Sequence, residues 1–258
     1  MGIANLIILI GIVLMANPNN EITIEPGKQL PQSLTIQVTE GDAKQDVTVR
    51  YLLFVPEGYE KNQKPWPLLL FLHGLGESSD TDLDRVKIHG PAKLVENQLD
   101  FPFVLVTPQC PPPGKERADI VKAWKPDQLI QLIDHVASKL RIDETRIYAT
   151  GLSMGGYGTW RLAASHPERF AAILPICGGG DPATMAANLH SVPIWAFHGA
   201  KDSVVPVTES EKMADAVTKA GGKVRLTVYA DAEHDSWTPT YSNPEVYNWL
   251  LSHQKPTR

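Results

Sequence analysis

From residue 32 onward the apolar positions of this chain alternate between a period of two and a period near 3.6. Residues 33–39 (SLTIQVT) alternate polar and apolar, as a half-buried strand does. A turn at 40–42 separates them from residues 47–55, a second strand closed by Pro56-Glu57-Gly58, and the two are expected to pair antiparallel. After the turn-rich 61–67, residues 68–72 (LLLFL) are wholly apolar, the mark of a strand buried on both faces. Residues 101–107 predict a further strand, stopped by Pro108 and the prolines at 111–113. Leu129, Leu132, Ile133, Val136, Ala137 and Leu140 then recur at helical spacing. Strands are expected at 146–151, 171–177, 192–198 and 224–229, although Pro175 is unusual inside a sheet. Between the last two, residues 208–220 predict a helix, with Thr208 and Glu211 as a capping box and Gly221 as the stop. A closing helix starts at Asn243-Pro244 and buries Val246, Trp249 and Leu250.

Eight strands with helices between the later ones predict an α/β fold, a mostly parallel sheet covered on both faces with an antiparallel pair at one edge. No internal repeat and no long linker divides the chain, so residues 17–258 read as one domain. In such sheets ligands bind beyond the carboxyl ends of the strands, so chemistry is sought just after each strand.

Residues 3–16 form a separate apolar run of 14, too short for a membrane span of roughly 20 residues and suited to the core of a secretory signal. No Lys or Arg precedes it and residues 14–16 make a poor cleavage site. The expectation is a secreted or periplasmic protein, or a cytoplasmic one if the run is a packed terminal segment. Twenty-four basic and 29 acidic residues give a net charge of −5 without charge blocks, which argues against nucleic-acid or anionic-membrane partners. The two cysteines, Cys110 and Cys177, can form one bridge at most and are expected as buried free thiols. No Cys/His spacing matches a zinc site, and no metal or cofactor is expected.

The chemistry gathers at the strand ends. Gly151-Leu152-Ser153-Met154-Gly155 lies between a strand and a helix start, the G-x-S-x-G turn that lifts a serine clear of a sheet. Residues 72–76 place a glycine turn, His73-Gly74-Leu75-Gly76, after another strand, where a backbone N–H can face a carbonyl under attack. Asp202 follows the strand at 192–198, and His234 follows the last strand. A serine hydroxyl needs a base, for which His234 is the candidate, and the imidazole needs an acid to fix its tautomer, for which Asp202 is the candidate. The N–H groups of Leu75 and Met154 are the expected oxyanion donors. His73 reads as a structural residue of its loop. His89, His135, His166, His190 and His253 lie away from the strand ends and read as surface or structural.

These segments, with Pro108-Gln109-Cys110-Pro111, Pro175-Ile176-Cys177-Gly178-Gly179-Gly180, His198-Gly199-Ala200-Lys201-Asp202 and Glu233-His234-Asp235-Ser236-Trp237, resemble the α/β-hydrolase superfamily over residues 32–253. Within it the chain is similar to esterases grouped with polyhydroxybutyrate depolymerases, feruloyl esterases and phospholipase/carboxylesterases. It also resembles the dienelactone-hydrolase branch, which uses a cysteine nucleophile where position 153 here is serine. The resemblance implies a serine carboxylesterase acting through an acyl-enzyme. Only 14 residues separate Cys177 from Val192, too few for the large cap such folds carry there, so an open cleft is expected, rimmed by residues 77–91 and 110–124. Trp124 and Trp237 are candidate aromatic walls for a short-chain or aryl ester, free or polymer-linked. A serine peptidase and a non-catalytic module on the same fold are the alternatives.

Overall fold

A computed structural model describes residues 21–40 and 43–256. The apolar run at 3–16 and the tip of the expected turn at 41–42 lie outside the described residues. Eight strands form one sheet in the order β1-β2-β4-β3-β5-β6-β7-β8. They are β1 (Gln29–Glu40), β2 (Ala43–Phe54), β3 (Trp66–Leu72), β4 (Val104–Pro108), β5 (Ile142–Leu152), β6 (Ala172–Ile176), β7 (Ile194–Gly199) and β8 (Val224–Tyr229). β1 pairs antiparallel with β2, and β2 antiparallel with β4. All remaining pairs are parallel. The expected mostly parallel sheet with an antiparallel edge is therefore the one observed.

Helices cover both faces: α1 (Gly90–Leu94), α2 (Arg117–Val121), α3 (Pro126–Lys139), α4 (Met154–Ser165), α5 (Pro182–Met185), α6 (Thr208–Lys219), α7 (Trp237–Tyr241) and α8 (Pro244–Leu251). The strand period divides the core in two. Leu68, Leu70 and Leu72 of β3 join Ile147, Ile173 and Ile194 on the face covered by α3, α4 and α6. Leu69 and Phe71 join Tyr148, Leu174, Trp195 and Phe197 on the face covered by α1, α7 and α8. β3 is thus buried from both sides, which is why its run contains no polar residue.

Two expected elements differ. Residues 101–103 are not strand; Phe101 and Phe103 are fully buried but sit in a turn, with the Phe103 N–H bonded to the Phe101 carbonyl at 2.8 Å. Thr208 is the first helical residue of α6, not its cap, and the preceding Val207 makes no side-chain cap bond. Gly221 does stop α6, in the left-handed region at φ 87°. Pro175 is accommodated because β6 meets β7 only at Ile173–Ile194 and Ile176–Phe197, on either side of it.

The chain runs from β3 outward to β4, then back across β3 to β5. The sheet's switch point therefore lies between β3 and β5, the crevice where doubly wound sheets bind ligands. Leu72 pairs with Gly151 at that end, so the turn at 73–76 and the turn at Ser153 emerge side by side. Among the described residues no helix is long and apolar enough to cross a membrane.

Candidate active site

Ser153 occupies the single residue between β5 and α4, at φ 53° and ψ −115°. Positive φ is a strained conformation for a side chain with a Cβ, costing of order 1–3 kcal/mol, and it persists where the surroundings over-determine it. Here the Ser153 N–H points into the sheet, 3.0 Å from the Ile176 carbonyl and 3.3 Å from Cys177 Sγ, while its carbonyl accepts the Tyr157 N–H at 3.0 Å. The hydroxyl is left facing outward. His234 Nε2 lies 2.9 Å from Ser153 Oγ, and His234 Nδ1 lies 2.7 Å from Asp202 Oδ2. The structure thus brings together three residues from three strand ends.

Asp202 is fixed from several directions. Its Oδ1 accepts the N–H groups of Val204 and Val205, both at 2.9 Å. The fully buried His198 stands behind it, with Nε2 3.2 Å from Oδ2 and 2.9 Å from the Val205 carbonyl, and Nδ1 2.7 Å from Ser210 Oγ. With both Asp202 oxygens occupied, the carboxylate can hold the His234 ring in one orientation, and Nε2 then presents its lone pair to Ser153.

Leu75 and Met154 are each the first residue of a helical turn, where backbone N–H groups have no partner within the helix. The turn carrying Leu75 is braced by its neighbours. Glu77 Oε2 accepts the Gly74 N–H at 2.8 Å, and Gln109 and Arg85 donate to the carbonyls of Glu77 and Gly76. His73 Nδ1 donates to the Gly74 carbonyl at 2.7 Å, and its Nε2 accepts the Cys110 N–H at 2.9 Å. This pattern requires a neutral imidazole. Burial lowers the His73 pKa to about 4, aided by the Arg85 charge and opposed by the Gly74 bond.

His73 therefore carries a stability signature. An unfolded-chain histidine titrates near ~6.5, so between that value and about 4 the unfolded state binds the extra proton and stability falls with pH. The expected loss from this residue is about 3 kcal/mol by pH 4. Denaturant titrations at stepped pH should show that His73→Gln removes this part of the slope, and an unchanged slope in the variant would refute the assignment.

Ser153 and His234 open into a cleft of about 470 Å³, with Asp202 buried behind them. Its walls include Leu75, Ile120, Tyr157, Val204 and Trp237, with Lys115 and Arg117 at the rim. Both expected rim segments contribute, and a third, Val204–Val205, follows Asp202. The link between β6 and β7 holds only α5 and one turn at Asn188–Ser191, so no cap rises there. Trp237 meets the His234 ring edge-on with centroids 5.3 Å apart.

Trp124, an expected aromatic wall, does not line the cleft. Its ring is 4% exposed, packs edge-on against His73 at 4.9 Å, and fills the space a side chain at Gly158 would need. His89, expected as surface or structural, instead lines the cleft, 3.6 Å from Glu77 Oε1 and 5.4 Å from the Trp237 ring. Arg117 and Tyr157 also line it, although no sequence motif points to them; Arg117 donates to Tyr157 Oη at 2.8 Å, which donates to Glu209 at 3.0 Å. Cys110 and Cys177 are both buried and free. Cys177 has φ 39°, and burial, the largest influence on its thiol, pushes the pKa well up.

The sequence profile of the dienelactone hydrolase family matches residues 115–248, which include Ser153, Asp202 and His234. The "Probable feruloyl esterase C" of Aspergillus terreus is 27% identical over 173 residues, 67% of this chain and 62% of that protein. The poly(3-hydroxyoctanoate) depolymerase of Pseudomonas fluorescens is 28% identical over 167 residues, 55% of this chain and 58% of that one. Among solved structures, a thermostable esterase superposes with a TM-score of 0.69 at 35% identity, over 86% of this chain and 63% of the other. In each case this chain spans less than two thirds of the relative.

Proposed function

The chain belongs to the dienelactone hydrolase family, and from that premise we propose that it hydrolyses carboxylic esters, with Ser153 as nucleophile, His234 as base and Asp202 as the acid that orients it. The observation that carries this reading is the unbroken run from Ser153 Oγ to His234 Nε2 at 2.9 Å and from His234 Nδ1 to Asp202 Oδ2 at 2.7 Å. His234 takes the serine proton as Oγ attacks the acyl carbon. The oxyanion gathers the N–H groups of Leu75 and Met154, and the positive end of α4 favours the same charge. His234 then gives its proton to the leaving alcohol. Water, deprotonated by the same ring, releases the acid and restores Ser153. Serine does here what cysteine does in other branches of the family.

The substrate is a short-chain or aryl ester. An apolar cleft of about 470 Å³ with no cap suits a compact acyl group, and Trp237 offers an aromatic ring an edge-to-face partner. The similarity to proteins described as a feruloyl esterase and a polyester depolymerase supports esters joined to larger polymers. A p-nitrophenyl ester series from acetate to palmitate, with methyl ferulate beside it, tests the reading. Turnover is expected to be highest for acetate to butyrate and for the aryl ester, and to fall steeply for long chains. Faster cleavage of peptide anilides than of any ester would replace this reading with a peptidase.

A further inference from the structure

Cys177 lies directly beneath the proposed nucleophile and takes no part in the mechanism above. Its Sγ, a carboxylate oxygen of Asp202 and a ring nitrogen of His234 all lie within 4.8 Å of one another. A tetrahedral zinc site with ligand bonds of about 2.0–2.3 Å sets its donors roughly 3.3–3.8 Å apart. No pair of donors is therefore more than about an ångström wider apart than a closed site needs, and Cys177 Sγ lies 3.3 Å from the Ser153 N–H, at the base of the same turn. A thiolate, an imidazole and a carboxylate are the donor set for a borderline or soft divalent cation, and a poor one for magnesium.

We propose that Cys177, His234 and Asp202 form an inhibitory site for a thiophilic divalent cation such as zinc or cadmium, so that the ester-hydrolysing centre carries its own metal-sensitive off state. The proposal rests on the triad reading above. Binding breaks the Cys177 S–H bond, forms a metal–sulfur bond and releases that proton through the cleft to solvent. The His234 nitrogen that faces Asp202 is Nδ1, so that nitrogen takes the ion. The proton it held moves to Nε2, which then donates to Ser153 Oγ and can no longer accept from it. The base is lost while the protein stays folded. The His234 side chain, 21% exposed, gives the ion its way in.

The test has two arms. In the first, zinc, cadmium and magnesium chloride are titrated against p-nitrophenyl acetate hydrolysis by wild type, Cys177→Ala and Cys177→Ser, each normalised to its own uninhibited rate. Zinc and cadmium should inhibit wild type reversibly, with recovery in EDTA, and magnesium should not. Either cysteine variant should weaken that inhibition at least about tenfold. Equal inhibition of wild type and both variants overturns the proposal. The second arm does not read activity and needs no Cys177 variant to fold. With two cysteines in the chain, a Ser153→Ala, Cys110→Ala protein retains Cys177 as its one thiol. One equivalent of cadmium should raise its thiolate-to-metal ultraviolet band, and absence of the band overturns the site. Retained esterase activity in Ser153→Ala would instead sink the triad reading and leave the band to judge the metal site alone.

Discussion

Replacing Ser153 by alanine is expected to lower kcat for ester hydrolysis about 10⁶-fold while leaving the melting temperature near that of wild type. The strain at φ 53° stays with the backbone, and the N–H bonds to Ile176 and Cys177 are untouched, so the fold has no reason to respond. On the proposed mechanism, chemistry loses the atom that attacks the ester from the end of the His234–Asp202 run. Asp202→Asn is expected to cost less, roughly 10⁴-fold, because Ser153 and His234 remain but the ring is no longer held with its proton on Nδ1. The Asn side chain would also leave the Val204 and Val205 N–H groups their oxygen acceptor, so the loop survives. The residues act as a unit, so the double variant should be no slower than Ser153→Ala alone. Initial rates on p-nitrophenyl acetate, with active-site concentration fixed by protein mass, check all three. An Asp202→Asn variant at wild-type rate would show that another group holds His234, and Ser153→Ala at wild-type rate would remove the serine from the mechanism.

The sequence carries the sheet well and the walls of the cleft poorly, for different physical reasons. A strand buried on both faces has to be apolar throughout, so 68–72 could be read directly, and 224–229 matches β8 residue for residue. Ser153, Asp202 and His234 each stand just beyond a strand, and parallel strands deliver such ends to one edge of the sheet however far apart they lie in sequence. Burial alone misleads. Phe101 and Phe103 have the periodicity of a strand yet fill the core from a turn, and Trp124, a plausible cleft wall by type, is core packing against His73. Of the cleft residues the sequence does not point to, His89 caps one five-residue helix and Arg117 opens another, where no period declares which way a side chain faces, and Tyr157 sits in the first turn of α4, where the elbow rather than a hydrophobic stripe sets its direction. Cys177 is the sharpest case, since its place under Ser153 depends on a backbone φ of 39° that no pattern of residue types announces.

Gly155→Ala should do the reverse of Ser153→Ala and damage the fold first. A Cβ there would lie 1.9 Å from the Leu72 carbonyl oxygen, 2.5 Å from its carbon and 2.7 Å from the His73 oxygen. All three are backbone atoms of the end of β3, pinned on one side by the register with β5 and on the other by the His73 and Glu77 bonds. No side chain can rotate away, so β3 and α4 have to separate by about an ångström. Overpacking a rigid core costs typically 1–3 kcal/mol, and a clash against backbone belongs at or beyond the top of that range. A loss of at least about 3 kcal/mol is expected, lowering the melting temperature by roughly 6–12 °C. Whatever protein still folds should turn over about 100-fold more slowly, because the same displacement carries the Leu75 N–H away from the Met154 N–H. Gly76→Ala is the control, since the space around its Cβ is open for 4 Å and its stability should stay within about 0.5 kcal/mol of wild type. A Gly155→Ala protein that melts with wild type would mean that β3 and α4 do not approach as closely as the elbow requires, and the placement of Leu75 as an oxyanion donor would fall with it.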